Sequence, residues 1–279
     1  MHLERVHIWV ARCDELHQDF LPLHSILLSP IFDEDRHTVL QQMSTACLRS
    51  TGSVLVLLEN YRHWDAELVL RSVQEGTIKF AYLLSERNQL GPRLQEFSED
   101  HFLIESLKTH DRAMAMINVL AKMKKKVSPA ITATLLKQAE YDAISSRYPR
   151  KVRQQIEGKW GFTRLIQDLA GSKSTIAKWF PTLLHGYGMA SHLQHSDAVG
   201  IGMVAERESR PEPDRSRVKL AHIARIVSDC NAYSFMRLMS AYLCAEEDTK
   251  PVHEAWEKHR KDFDDLIEIQ KEWEQVEFP

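Results

Sequence analysis

The sequence predicts an all-α protein, a helical bundle with peripheral helices. Three observations carry that reading. Apolar residues recur at helical spacing along most of the chain, and strand-like alternation with tight hairpin turns is almost absent. Glycine and proline number ten each in 279 residues, too few for a turn-rich β architecture. Helix content above roughly 60% follows, well over the globular average.

The elements can be justified in order. Residues 1–34 are an N-terminal helical extension. From about Asp35 to Asn60, the positions Val39, Leu40, Met43, Cys47 and Val54–Leu58 trace one apolar face, and Asn60-Tyr61 breaks it. A second helix runs from about His63 to Glu86, with Ala66, Leu68, Leu70, Val73, Ile78, Phe80, Tyr82 and Leu83 expected inward, and Gly91-Pro92 ends that element. A long charged helix is expected over Leu94–Lys126, its terminal lysines complementing the helix dipole. Ser128-Pro129 supplies cap and first-turn chemistry for a helix to about Arg147, and Tyr148-Pro149 breaks it. Short helices follow near Thr163–Ala170 and over about Ser174–Ser196. Residues 206–217, ERESRPEPDRSR, read as an exposed loop. A long helix over about Ser216–Glu247 and a terminal one from Pro251 to about Glu274 complete the chain. The domain reading is therefore an extension (1–34), a helical core (35–247) and a C-terminal helix (248–279).

Composition bounds the function. With 43% hydrophobic and 27% charged residues the chain is that of a globular protein. A net charge of -3 gives no global pull toward nucleic acid; Lys122–Lys126 (KMKKK) is the densest basic patch. No stretch reaches the roughly 18 apolar residues that span a bilayer, so no membrane partner is expected. The N-terminus lacks a signal-peptide pattern, and Cys13, Cys47, Cys230 and Cys244 lack CxxC spacing. A cytoplasmic protein with reduced thiols is the expectation.

One stretch concentrates chemistry: LLHGYGMASHLQHSDAVG, residues 183–200, holds His185, His192 and His195. His192 and His195 stand at i and i+3, a spacing that can chelate zinc, but a site would still need one or two ligands from elsewhere, and no metal is expected. GSKST at 171–175 lacks the strand and glycine spacing of a P-loop and reads as a helix cap; no cofactor is expected. Tyr187, Ser191 and His195 are spaced by four, so their side chains form one slanting stripe. In the second helix Arg71 and Glu75 share a face beside apolar neighbours. The two sets are complementary in charge and hydrogen bonding. Their helices are therefore expected to pack side by side, with His195 within one hydrogen bond or one bridging water of the Arg71–Glu75 pair.

The order R-S-x-x-E (Arg71, Ser72, Glu75), then Trp160-Gly161, then Y-x3-S-x3-H (Tyr187, Ser191, His195) before Ser196–Gly200 resembles an uncharacterised bacterial domain family of HEPN-like, all-α character, over roughly residues 38–245. The resemblance implies a helical bundle, a homodimer, and kinship with RNA-cleaving toxins and antiphage effectors. The HEPN signature R-x4–6-H occurs at Arg12–His17 and Arg217–His222, matches that a chain with 14 histidines yields by chance. No arginine precedes His195 at that spacing, which leaves Arg71 as its candidate partner.

Two functions stand open. In the first, a metal-independent ribonuclease in phage defence, His195 acts as general acid or base on RNA. Arg71 then holds the phosphate, Glu75 orients the arginine, and Ser191 and Tyr187 orient the imidazole or phosphate. In the second, the same polar network fixes helix register or binds a ligand such as a nucleotide, without catalysis.

Overall fold

Asp33 accepts a hydrogen bond from the Arg36 backbone N–H at 3.0 Å and caps the helix that follows. The computed structural model describes residues 2–172 and 174–277, with backbone alone for His2, Leu3, Glu34, Asp35, His185 and Val276. The first helices are α1 (His2–Phe20), α2 (Glu34–Glu59), α3 (His63–Leu84), α4 (Leu90–Gln95) and α5 (Phe102–Lys122). Then come α6 (Pro129–Thr132), α7 (Gln138–Arg147), α8 (Arg150–Lys159) and α9 (Phe162–Ala170). The last are α10 (Leu183–His195), α11 (Ala198–Ser209), α12 (Asp214–Ala245), α13 (Lys250–His259) and α14 (Asp264–Glu277). No strand occurs among the described residues. The all-α reading holds.

The chain divides into two compact units, one of Met1–Asn88 and Leu165–Pro279, the other of Gln89–Arg164. In the first, α12 is the central element. Its residues are apolar on nearly every side, with Val218, Ile223, Ile226, Val227, Phe235, Met236 and Leu238 all buried, as a helix surrounded by others requires. It packs against α1, α2, α3, α13 and α14. In α1, Val6, Trp9, Val10, Cys13, Leu16 and Phe20 recur at three and four residues and are buried. Each such apolar side chain contributes about 1.5–3 kcal/mol. Residues 2–20 are therefore part of the core and not an appendage to it, and α13 and α14 pack in the same unit. α2 and α3 form a close antiparallel pair. A Cβ on Gly76 would stand 2.6 Å from the Cys47 Sγ, so the glycine permits that approach.

The second unit is a smaller helical cluster held by its own polar anchors. Glu96 accepts from Trp160 Nε1 at 2.7 Å and from Lys159 Nζ at 2.8 Å, and Asp100 accepts from the Tyr148 hydroxyl. A π-helical turn over Glu96–His101 joins α4 to α5. The expected long helix thus starts earlier, at Leu90, and Gly91-Pro92 lie in its first turn, where proline's missing N–H costs nothing. Lys122, Lys124, Lys125 and Lys126 are exposed at its C-terminal end.

Other boundaries also differ. Ser128 caps a helix as expected, through Ala130 N at 3.3 Å, but that helix ends at Thr132. α7 restarts where Glu140 accepts from the Lys137 N–H at 3.0 Å. The segment expected as one helix over 174–196 begins as a 3-10 turn, Ala177–Thr182, because Pro181 cannot donate into an α-helical ladder. The loop expected over 206–217 shrinks to four residues, 210–213, between α11 and α12. Asp197 accepts from the N–H groups of Val199 and Gly200, both at 3.0 Å, and so starts the helix that fills the space. No helix among the described residues is long and apolar enough to cross a membrane.

Candidate functional site

α3, α10, α11, α12 and α14 enclose a cavity of about 1100 Å³ in the first unit. One wall gathers interacting charges. His222, Arg225 and Asp229 follow one another at three and four residues on α12, so they share a face, and Glu67 of α3 meets them. Arg225 Nη2 donates to Glu67 Oε2 and its Nη1 donates to Asp229 Oδ2 at 2.6 Å. His222 Nε2 lies 3.0 Å from the same Glu67 oxygen. Side-chain exposure is 6% for both Glu67 and His222, against 34% for Arg225 and 24% for Asp229, so the last two face the cavity's solvent.

The electrostatics follow from this placement. Burial alone would raise the Glu67 carboxyl, but the Arg225 charge and the His222 hydrogen bond outweigh it and hold the group at about 2. Asp229, for which burial prevails over its single arginine, is pushed up to about 6. Burial, and then the Arg225 charge, disfavour a cationic His222 despite its bond to Glu67. The neutral imidazole donates Nε2–H to the carboxylate. Trp64 packs its ring 4.8 Å from that of His222 and donates Nε1–H to Glu208 at 2.9 Å. Arg207 of α11 stands 5.7 Å from the Trp64 ring centroid.

A second polar cluster sits deeper, where α1, α3 and α12 meet. Arg237 is fully buried. It donates to Thr77 Oγ1 at 2.6 Å and to Ser234 Oγ at 3.0 Å, while its Nε has no partner. No ion pair reaches it among the described residues. His17 lies 2.7 Å from both the Cys13 carbonyl, through Nδ1, and the Ser234 hydroxyl, through Nε2. A neutral imidazole satisfies both, donating to the carbonyl and accepting from the hydroxyl. Burial pushes His17 down to about 4.

The residues singled out in the sequence are placed as follows. Arg71 Nη2 donates to the Tyr187 hydroxyl at 2.9 Å, and the guanidinium also covers the ring, 4.5 Å from its centroid. Helices α3 and α10 do pack together, with Gln74 Nε2 donating to the Leu183 carbonyl at 3.0 Å. Glu75 is committed to Lys79 at 2.7 Å, one turn along its own helix. His195 is exposed in the last turn of α10, two turns or about 12 Å along the axis from Tyr187. No hydrogen bond joins it to Arg71 or Glu75, so the expected three-way contact does not form. Ser191 is half-buried on the same helix. His192 pairs with Asp197 at 2.7 Å, while the side chain of His185 and all of Lys173 in the GSKST segment lie outside the described residues. Of the two R-x4-H pairs, Arg12 lies 3.7 Å from Asp262 and Arg217 lies 3.0 Å from Asp214, while His17 and His222 belong to the two buried clusters. No group of three histidine, cysteine or acidic side chains suited to a metal occurs among the described residues.

Residues 37–212 match a family of unknown function, DUF5677. The chain belongs to this family. The DUF5677 segment spans α2 to α11 and includes Glu67, Arg71, Tyr187, His195 and Arg207. His222, Arg225 and Asp229 lie beyond it, so the charged wall joins a DUF5677 acid to a histidine, an arginine and an aspartate from outside the matched segment. Neither a curated protein nor a solved structure matches the chain.

The sequence reading missed Glu67, Arg225 and Asp229, and set His222 aside as a chance R-x4-H match. Their signal was present: three titratable residues on one face of the long central helix, and an acid one turn before Arg71.

Proposed function

We propose that the protein is a HEPN-like helical module that binds a small molecule in the α3–α10–α11–α12–α14 cavity, without catalysis by His195. The cavity itself supports this reading. It is large enough for a drug-sized ligand, lined by aromatic and thioether side chains, and punctuated by a few fixed polar groups, as ligand sites are. The arrangement around His195 argues for the non-catalytic alternative: the imidazole is exposed at a helix end, and its candidate arginine is engaged with Tyr187. The test is a thermal-shift screen of a metabolite library against the wild type and Gly186→Leu. Gly186 borders the cavity, and a Cβ there would meet only Arg225 Nη1, at 3.9 Å, so a larger side chain fills the space. A ligand that raises the melting temperature of the wild type and leaves Gly186→Leu unmoved is the expected result. Equal responses from the two proteins would refute the reading.

A second reading, a metal-independent ribonuclease acting in antiphage defence as a homodimer, draws on one observation. His222 stands at R-x4-H spacing from Arg217 and is oriented by a carboxylate, Glu67, the arrangement that prepares an imidazole for proton transfer. RNA cleavage that survives His195→Ala and is lost in His222→Ala would favour it over the ligand-binding reading.

A further inference from the structure

Two arginines face the cavity, and only one is neutralised. Arg225 is shared between Glu67 and Asp229. Arg207 has no carboxylate within 4.0 Å among the described residues, only the Trp64 ring; burial first, and then the Arg225 charge, depress its pKa. Glu206 and Glu277 oppose that effect only at longer range, and Glu274 lines the cavity as well, so Arg207 is a guanidinium with no close carboxylate. Glu67 and Asp229 carry two negative charges against the one of Arg225, with His222 neutral, which leaves an excess of one negative charge. Arg207 leaves a guanidinium without a carboxylate within 4.0 Å among the described residues.

The hydrogen bonding agrees. Both donors to Glu67 use Oε2, and the single donor to Asp229 uses Oδ2. Glu67 Oε1 and Asp229 Oδ1 accept no hydrogen bond among the described residues, and neither is a sealed, solvent-free atom. A carboxylate in a partly dry wall is costly without a donor, and so is a guanidinium without an acceptor. A ligand that carried only an anion would satisfy Arg207 and leave the acidic side in excess; a simple amine would do the reverse. The same cavity is lined by Trp64, Tyr233, Trp273, Met189 and Met203, adaptable apolar and aromatic surface.

We propose that the cavity takes a zwitterion of the amino-acid or short-peptide class with an apolar or aromatic side chain. Its anionic group lies on Arg207 and its ammonium on the free oxygens of Glu67 and Asp229. This inference rests on the ligand-binding reading above and adds the chemistry of the ligand.

The experiment is titration calorimetry on the full chain with L-tryptophan and the dipeptide Leu-Trp. Each is compared with its N-acetyl form, which lacks the cation, and its amide, which lacks the anion. The zwitterions bind, and each neutralised form binds about tenfold more weakly, the loss expected of one charge-assisted contact. Arg207→Gln, which removes no ion pair or hydrogen bond of the fold, abolishes discrimination against the amide and keeps that against the N-acetyl form. Asp229→Asn does the opposite. Equal binding of all three forms overturns the proposal, as does an Arg207→Gln effect of the same size on every form. So does tighter binding by a mononucleotide, which brings an anion without an ammonium. If library compounds distinguish the wild type from Gly186→Leu while no zwitterion binds, only this inference falls. If nothing distinguishes those two proteins, the cavity reading falls with it.

Discussion

Arg71 engages Tyr187 twice, through the hydroxyl at 2.9 Å and across the face of the ring, with its Cζ 4.5 Å from the centroid. The two contacts can be separated by substitution. Tyr187→Phe removes the hydrogen bond and keeps the ring, so a loss of about 1 kcal/mol is expected at this half-buried site. Tyr187→Ala removes both and should cost about 2 kcal/mol. Chemical denaturation measures both, and equal losses from the two variants would mean that the ring contact contributes nothing.

Two glycines near the site should respond in opposite directions. A Cβ on Gly188 would touch nothing, so Gly188→Ala in α10 should stabilise by about 0.5–1 kcal/mol through helix propensity. A Cβ on Gly200 would stand 2.4 Å from the His192 carbonyl oxygen, which is backbone and cannot swing away. Gly200→Ala should destabilise by at least about 1–3 kcal/mol. Thermal melts of the two variants beside the wild type would show the reversal.

Acid should unfold the protein through its buried histidines. Burial holds His17 and His63 at about 4 in the folded chain, against an ordinary 6.5. The unfolded state therefore binds more protons between those values, and stability falls as pH drops from 6.5 toward 4. Each histidine accounts for on the order of 3 kcal/mol across that window. Asp229, raised to about 6, acts in the opposite sense, losing stability as pH rises from about 4 through 6, but one such group is outweighed by two histidines. Denaturation free energies measured at intervals from pH 4 to 7 should rise with pH, and His17→Gln should flatten the curve. A level profile in the wild type would contradict this account.

Arg237 carries the least compensated charge in the core. Its two acceptors, Thr77 and Ser234, retain other partners without it, since Thr77 donates to the Val73 carbonyl at 2.7 Å and Ser234 meets His17. Arg237→Met, apolar and of similar reach, should leave the melting temperature unchanged or raise it, as replacing a buried charge often does. A loss above about 2 kcal/mol would show that the guanidinium is better compensated than its visible partners suggest.

The fold was legible where periodicity was long and unbroken. α2, α3 and α12 fall within two residues of the boundaries drawn from sequence, because each has a continuous apolar face and a recognisable stop. α8 and α11 were hidden for different reasons. α8, RKVRQQIEGK, is strongly polar, and its helical pattern rests on Val152 and Ile156 alone. α11 begins with Ala198, Val199 and Gly200, whose propensity points to a loop, and the Asp197 cap overrides it. At the site, Arg71 and Tyr187 could be paired from helical faces, since both interrupt apolar stripes. Glu67 and Arg225 could not, because they are 158 residues apart and each, taken alone, looks like an ordinary helical charge.

α12 runs 32 residues, about 48 Å at 1.5 Å per residue. It carries the cavity cluster through Arg225 and the core cluster through Arg237, twelve positions further on and about a third of a turn around the axis. A stiff rod that bears two polar centres on different faces cannot turn to suit one without displacing the other. If the cavity takes a ligand, a shift of α12 that suited it would be expected to reach the core as well, and the reverse. Arg237→Met, far from the wall, is then expected to change the affinity of any ligand held at Arg225, and an unchanged affinity would show the two centres to be independent.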